Sequence, residues 1–287
     1  MRFESPTTVQ DAVGLLAAET GLSRLLAGGT DVLVQLRSGF VEPDLVVDIK
    51  RIAGMRDVVP EGGGYRIGAA VSGAELGAHD GVRGLWPGVV EALELIGSTQ
   101  IQGRATLAGN LCNGSPAADS VPAMFAADAR VTVAGPGGER TVPVMSIPVG
   151  PGKTSLARSE FITAIHLPAR PDRSSDAYLR FIPRTEMDIA VASAGVSLEL
   201  EPDGTCRAAR VALGAVAPTV VLVEDAAAAL VGTRLEEGDL KTLAEACSAA
   251  CNPIDDKRGT IEFRRDVAAV LARRAALIAY ERAGGTQ

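Results

Sequence analysis

The sequence predicts an α+β chain of two or three domains, and three observations predict it. Short strands and helices alternate through the first sixty residues, with a glycine pair at one strand-to-helix junction. The last third instead runs strands first and helices afterwards, the order of an α+β domain. The length, 287 residues, corresponds to about two domains at roughly 150 residues each. A chain of ~300 residues buries roughly 75% of its unfolded surface and needs no disulfide or metal staple.

Taken in order, Thr8 is placed to cap a helix with Asp11 three residues on and Val9, Val13 and Leu16 along one face, ended by Gly21. A strand over Arg24–Ala27, the Gly28-Gly29-Thr30 turn, a helix through Val32, Leu33 and Leu36, and a strand over Asp44–Ile49 make a small βαβ-like unit. The glycine- and proline-rich stretch Pro60–Gly64 predicts a subdomain seam. A strand follows over Tyr65–Val71, then a capping box at Ser72-Gly73-Ala74-Glu75, then a helix from Pro87 to Ile96. Thr106–Asn110 reads as a glycine-containing turn, Pro122–Ala127 as helix, and Arg130–Val133 and Glu160–Leu167 as strands. The polar stretch Ala169–Asp176 reads as a linker. Beyond it lie strands at Ala190–Leu200 and Arg207–Leu213, then helices over Leu240–Ala250 and from Thr260 to Tyr280. The divisions this suggests are 1–58, 59–170 and 174–287.

Composition excludes several function classes. The net charge of −7 and pI of about 5.0 oppose a phosphate backbone, so no nucleic-acid partner is expected. The longest apolar runs, such as Ala226–Val231, cannot span ~30 Å of hydrocarbon. The N-terminus has no apolar core of a signal peptide, so membrane insertion is not expected and a cytoplasmic setting is. Cys247 and Cys251 lie one helical turn apart and do not form a C-x2-C hook; with Cys112, Cys206, His79 and His166 they suggest no metal cage. All four cysteines read as buried or semi-buried thiols. The sequon Asn113-Gly114-Ser115 has no use in a cytoplasmic chain, Trp86 reads as a hydrophobic anchor, and the charge run Glu262–Arg265 as a solvated helix face.

Two glycine turns carry the chemistry: Ala27-Gly28-Gly29-Thr30-Asp31 and Thr106-Leu107-Ala108-Gly109-Asn110. Glycines let backbone approach an anion closely and let successive N–H groups converge on it. Thr30 adds a hydroxyl at a helix start, where the dipole favours negative charge. Neither turn contains lysine. No G-x-G-x-x-G and no G-x-x-x-x-G-K-[ST] is present, so the turns fit neither a Rossmann dinucleotide site nor a P-loop.

The first turn and the run IGSTQIQGRATLAGNLCNGSPAAD, from Ile96 to Asp119, together resemble the FAD-binding subunit of the molybdenum hydroxylases. That family includes the medium subunit of aerobic carbon monoxide dehydrogenase and the flavin domain of xanthine dehydrogenase. Its hallmarks look like AGGTD near the start, Q-I-R-N-x-A-T-x-G-G-N downstream and S-P-x-x-D soon after. Arg180–Ile189, Arg210–Thr219 and Asp256–Arg265 resemble its later landmarks, so the likeness spans nearly the whole chain. Gln102 and Gly103 depart from the common Arg-Asn pair, and Ala108 from the first glycine of G-G-N. One extra methyl at Ala108 is compatible with the site if its φ is negative. No cysteine-rich insertion is present, so no iron–sulfur cluster is expected in this chain.

The resemblance implies a vanillyl-alcohol-oxidase-type FAD-binding cleft of two α/β subdomains, covered by a C-terminal α+β domain. By position, Gly28, Gly29, Thr30 and Asp31, flanked by Ala27 and Val32, would hold the diphosphate from one side. Thr106, Ala108, Gly109 and Asn110 would hold it from the other. Asp119 would accept hydrogen bonds from ribityl or ribose hydroxyls, Ile162 would lie near the flavin nucleotide, and Arg180 would be a basic group near the flavin. The implied complex contains a large molybdopterin subunit and a small subunit with [2Fe–2S] clusters, arranged as a dimer of heterotrimers. This chain's FAD would pass electrons to NAD, oxygen or a quinone, and no catalytic acid, base or nucleophile is needed from the protein. The low aromatic content, 3%, beside a mean hydropathy of +0.19, suggests apolar surface near the flavin for the iron–sulfur partner. A free-standing flavin-dependent oxidoreductase of the same fold, and a non-redox nucleotide-binding or assembly module, stay open as alternatives.

Overall fold

A computed structural model describes residues 1–286. The first part is a parallel three-stranded sheet in the order β1-β3-β2, formed by β1 (Arg2–Glu4), β2 (Ser23–Leu26) and β3 (Leu45–Asp48). Helix α1 (Val9–Ala18) is capped by Thr8, whose hydroxyl accepts from the Asp11 N–H at 3.1 Å. The helix stops at Ala18, before Gly21. Gly21 serves a different purpose: a Cβ there would collide with the Asp44 carboxylate, which accepts from the Leu22 N–H at 2.8 Å. Helix α2 (Val32–Arg37) follows the first glycine turn. The periodicity that predicts it does not bury it: no α2 residue is buried, and Leu33, Val34 and the following Phe40 are exposed.

The second part is an antiparallel five-stranded sheet in the order β4-β5-β10-β6-β7. Its strands are β4 (Val58–Glu61), β5 (Gly64–Gly68), β6 (Arg130–Gly135), β7 (Gly138–Pro143) and β10 (Phe161–Leu167). Between β5 and β6 the chain makes six short helices: α3 (Gly73–Gly77), α4 (Asp80–Leu85), α5 (Pro87–Glu94), α6 (Thr99–Gln102), α7 (Leu107–Cys112) and α8 (Ser120–Ala126). A small hairpin, β8 (Pro148–Gly150) and β9 (Lys153–Thr154), precedes β10. The Ser72/Glu75 capping box opens α3 as expected. Pro60–Gly64 is not a seam. It is the turn of the β4–β5 hairpin, with Gly62 and Gly63 both at positive φ, the two-residue geometry that suits the twist of antiparallel strands. One hydrophobic core runs through both parts, joining Leu45, Val47 and Ile49 to Ile67, Leu93, Leu111, Met124, Phe161 and Ile165.

The third part is the antiparallel sheet β11-β12-β13-β14: β11 (Ser174–Phe181), β12 (Ala192–Leu200), β13 (Cys206–Gly214) and β14 (Val221–Leu222). Helices α9 (Glu224–Ala228), α10 (Glu237–Ala250) and α11 (Ile261–Arg282) complete it. α11 lies over β11 and β12, and its alanine face (Ala268, Ala272, Ala275, Ala276, Ala279) is buried, which brings helix and sheet close. Thr260 caps α11 through the Phe263 N–H. The charge run in its first turn is not all solvated. Arg264 is buried, donating at 2.7 Å to both the Val191 carbonyl and Asp256 Oδ1. Cys206, Cys247 and Cys251 are buried, and burial pushes the Cys247 thiol up to about 12, away from thiolate chemistry.

The expected linker is partly strand, since β11 begins at Ser174, and its two ends are locked together. The Arg170 guanidinium reaches Asp176 at 2.7 Å, the Leu85 carbonyl at 3.0 Å, and the Trp86 ring, whose centroid lies 4.0 Å away. Trp86 is buried and donates from Nε1 to the Pro168 carbonyl at 2.9 Å. A Cβ at Gly195 of β12 would strike Pro122 of α8, so the sheet of the third part rests directly on a helix of the second part. Burial opposes charge on both Arg170 and Asp176, and each partner's field offsets it. Removing one member of such a pair leaves the other charged and dry. Asp176→Ala is therefore expected to lower the unfolding free energy by about 3–5 kcal/mol. Urea unfolding checks this, and a change below about 1 kcal/mol contradicts it.

Candidate functional site

A cavity of about 560 Å³ opens where the two glycine turns meet. That size falls among small-molecule and cofactor pockets, which run ~300–1,000 Å³. Ala27, Gly28, Gly29, Thr30, Asp31 and Val32 line one side; Thr106, Ala108, Gly109 and Asn110 line the other; and Ile162 closes the wall from β10. Next to Ile162 the β10–β6 register slips between Ile162 and Ala164, a bulge that re-aims side chains locally. Apolar walls come from Leu16, Leu25, Ile49, Ile96 and Leu156, with Arg24 and Arg158 among the polar ones.

The turns touch. A Cβ on Gly28 would fall inside the Arg104 carbonyl, so only glycine lets the first turn rest on the Arg104–Ala105 peptide. The Arg104 Nε–H donates to the Gly28 carbonyl at 2.9 Å, across 76 residues of sequence. The Asn113 side-chain N–H donates to Asp31 Oδ1 at 3.2 Å, across 82 residues. Gly29 takes φ +81°, the left-handed region where other residues are strained. Burial raises the Asp31 carboxyl from its ordinary value.

The second turn is the start of a helix. Thr106 is the N-cap of α7, its hydroxyl accepting from the Gly109 N–H at 2.9 Å. Ala108 therefore sits in the first helical turn and is absent from the positive-φ residues, so its methyl costs no backbone strain. Among the described residues, the N–H groups of Gly28, Gly29, Thr30 and Asp31 and the Thr30 hydroxyl have no protein acceptor. The Ala108 N–H has none either. Unpaired amide donors on both sides of a cavity are what an anion requires. Asn110 is held differently, its Oδ1 accepting from the Ser120 N–H and hydroxyl at 3.2 and 2.7 Å.

Asp119 and Arg180 are not brought to the cavity wall. They form a buried ion pair at 2.6 Å, and the other Asp119 oxygen accepts from the Tyr178 hydroxyl at 2.8 Å. Both carboxylate oxygens are thus engaged within the protein, between α8 and β11. Burial pushes the Asp119 carboxyl up to about 6 against the opposing pull of Arg180 and Tyr178. Burial, with the neighbouring carboxylate, also drives the Tyr178 hydroxyl well above its usual value.

Several residues in and around the cavity escape sequence reasoning. Cys112 is an exposed residue lining the cavity, not a buried packing thiol. Lys50, Arg104 and Asn113 also bond to the first turn; Arg104 and Asn113 lie within the Ile96–Asp119 run, whereas Lys50 is far along the sequence from both motifs and carries no local signal. Among the described residues no group of three or more His, Cys, Asp or Glu converges, and no helix is long and apolar enough to cross a membrane.

Comparison with known proteins adds family evidence. Residues 1–170 match the model of the FAD binding domain in molybdopterin dehydrogenase, and residues 177–279 that of the CO dehydrogenase flavoprotein C-terminal domain. A xanthine dehydrogenase FAD-binding subunit from Escherichia coli O157:H7 is 31% identical over 99% of this chain and 97% of its own length. The carbon monoxide dehydrogenase medium chain of Hydrogenophaga pseudoflava is 31% identical, covering 98% of both chains. A solved structure of carbon monoxide dehydrogenase from Hydrogenophaga pseudoflava superposes with a TM-score of 0.94 at 32% identity, again covering 98% of each chain.

The Asp119 pair has a pH signature. Folded, Asp119 keeps its proton up to about pH 6, whereas in the unfolded chain it loses it near pH ~4. The folded state therefore binds more protons between these values, and this group's contribution falls as pH rises from ~4 to ~6 and is constant above. The loss is on the order of 2–3 kcal/mol. Urea unfolding at several pH values should show this slope in the wild type and not in Asp119→Asn; an equal slope in both contradicts the assignment.

Proposed function

This chain belongs to the family of FAD-binding subunits of the molybdopterin dehydrogenases, and from that premise we propose how its cavity serves the complex. The chain is the FAD-binding, medium subunit of a multi-subunit oxidoreductase of the molybdenum hydroxylase type. The observation that carries the site reading is the meeting of two glycine turns, cross-bonded by Arg104–Gly28 and Asn113–Asp31, beneath unpaired amides. We place the FAD diphosphate there. Gly28, Gly29 and Thr30 would donate from one side, and Ala108 beside the Thr106-capped turn from the other. Ala27, Asp31, Val32, Gly109, Asn110 and Ile162 would complete the wall.

Bound FAD supplies the junction between one- and two-electron chemistry. The chain's residues bind it, exclude water along the apolar walls and hold its orientation. Within the complex, the electron path we propose runs from [2Fe–2S] clusters of a small partner, fed by a molybdopterin subunit, through this subunit to NAD, oxygen or a quinone. A dimer of such heterotrimers is the assembly we favour. The divisions 1–58, 59–170 and 174–287 remain our proposed domain organisation, with the first two sharing one core.

Asp119 and Arg180 enter this reading one step removed. Asn110 on the cavity wall is held by Ser120, whose neighbour Asp119 is tied to Arg180 and Tyr178 of the C-terminal sheet. The cavity favours no independent substrate chemistry. Its lining contains no histidine, and its one carboxylate is Asp31, already bonded to Asn113.

Absorbance tests the assignment. The purified chain, supplied with FAD, should show bound flavin in the visible spectrum, and should not turn over a hydroxylation substrate by itself. A folded protein that takes up no FAD contradicts the proposal, and substrate turnover by the isolated chain supports the free-standing alternative. Gly28→Ala forces the turns apart and should weaken FAD binding roughly 100-fold, the scale set by displacement of about 1 Å in a positioned site. Affinity within a factor of ~2 of wild type, where interactions differ by less than RT, would place the diphosphate elsewhere.

A further inference from the structure

We propose that Lys50 and Arg104 are positioning residues that set which way the first glycine turn faces. The Lys50 ammonium donates to the Ala27 carbonyl at 3.1 Å and is itself held by Asp48 Oδ1 at 2.7 Å. The Arg104 Nε–H donates to the very next carbonyl, that of Gly28, at 2.9 Å. Two consecutive carbonyls are thus gripped by two cations, from two parts of the chain. Neither cation lines the cavity, whereas Ala27, Gly28 and Gly29 all do.

Peptide planarity gives this arrangement its consequence. In a trans peptide the C=O of one residue and the N–H of the next point in opposite directions. Holding the Ala27 carbonyl on Lys50 turns the Gly28 N–H away from Lys50. Holding the Gly28 carbonyl on Arg104 turns the Gly29 N–H away from Arg104. These two amides have no protein acceptor among the described residues, and they belong to residues on the cavity wall. The cations do not contact the ligand. They fix the peptide planes, so that the donors are aimed before the ligand arrives and no conformational entropy is lost in aiming them.

The turn itself has no means of choosing this orientation. Gly28 and Gly29 lack side chains, and Gly29 already sits at positive φ, where glycine moves readily to other conformations. Asp48 strengthens the grip from below, since its Oδ1 also accepts from the Lys50 N–H at 3.0 Å, fixing the base from which the ammonium extends. The sequence contains no lysine in either turn, and this accounts for how neutral donors can still be organised by charge: the cations act on the turn's carbonyls, from behind.

The inference rests on reading the cavity as the FAD diphosphate site, and the test separates the two. Using the full chain, FAD affinity is measured for wild type, Lys50→Met, Arg104→Met and Arg104→Lys, with the melting midpoint of each ligand-free protein and the phosphorus NMR spectrum of bound FAD. Lys50→Met and Arg104→Met should each weaken FAD by roughly 10- to 100-fold, the usual effect of losing an outer support. Arg104→Lys should recover part of the loss, and the bound diphosphate resonances should move in both methionine variants. Unchanged affinity in both methionine variants overturns the proposal. So does lost affinity with the phosphorus resonances at wild-type positions, because the effect then lies at another part of the nucleotide. If Arg104→Met does not fold, Lys50→Met and Arg104→Lys decide by the same criteria. A wild-type chain that binds no FAD removes the site reading, and this inference with it.

Discussion

The backbone of Gly28 rests on the Arg104–Ala105 peptide, a contact that any Cβ at that position would prevent. Much of the site's geometry depends on it. It brings a turn near the N-terminus of the chain against a helix start about eighty residues later, and it leaves unpaired amides on both sides of one cavity. The contact is possible because the parallel sheet of residues 2–48 and the antiparallel sheet of residues 58–167 share a single hydrophobic core. The glycine turns are therefore parts of one packed body, with Gly28, Thr106 and Ala108 buried, and their separation is set by core packing more than by loop flexibility.

Behind the cavity the chain is braced by charge. Asp119 with Arg180 and Tyr178, and Arg170 with Asp176 and Trp86, both join the helices of the second part to the first strand of the C-terminal sheet. Such buried pairs add little net stability compared with apolar packing, but breaking one is costly. They hold orientation, and here the orientation held is that of the C-terminal sheet against the helices carrying the cavity wall. The apolar side chains of α2 present a contrast. Leu33 and Val34 are exposed, so this helix leaves apolar side chains in solvent.

Local signals were legible because they act over a few residues. Thr8, Ser72 and Thr260 cap helices as their side-chain chemistry predicts, and Pro87 opens one. The glycines of both turns were legible for the same reason. Pro60–Gly64 misled because the same residues suit a hairpin turn and an interdomain break, and only strand pairing distinguishes them. Thr106 reads as part of a turn because a six-residue helix has too short an apolar period to register. Arg264 lies in a run of charges, and no local rule tells that its guanidinium will find Val191 and Asp256 in the interior. The resemblance implies cofactor roles for Arg180 and Asp119, whereas the structure pairs them with each other. That pairing joins residues 61 apart, a relation that residue type alone does not encode.

The central proposal is that amides from two distant segments share one diphosphate. Backbone amide NMR during an FAD titration tests it most directly. The resonances of Gly28, Gly29, Thr30 and Ala108 should shift together, along one binding curve and with one dissociation constant. Shifts confined to one of the two segments, or to neither while FAD binds elsewhere, would contradict it.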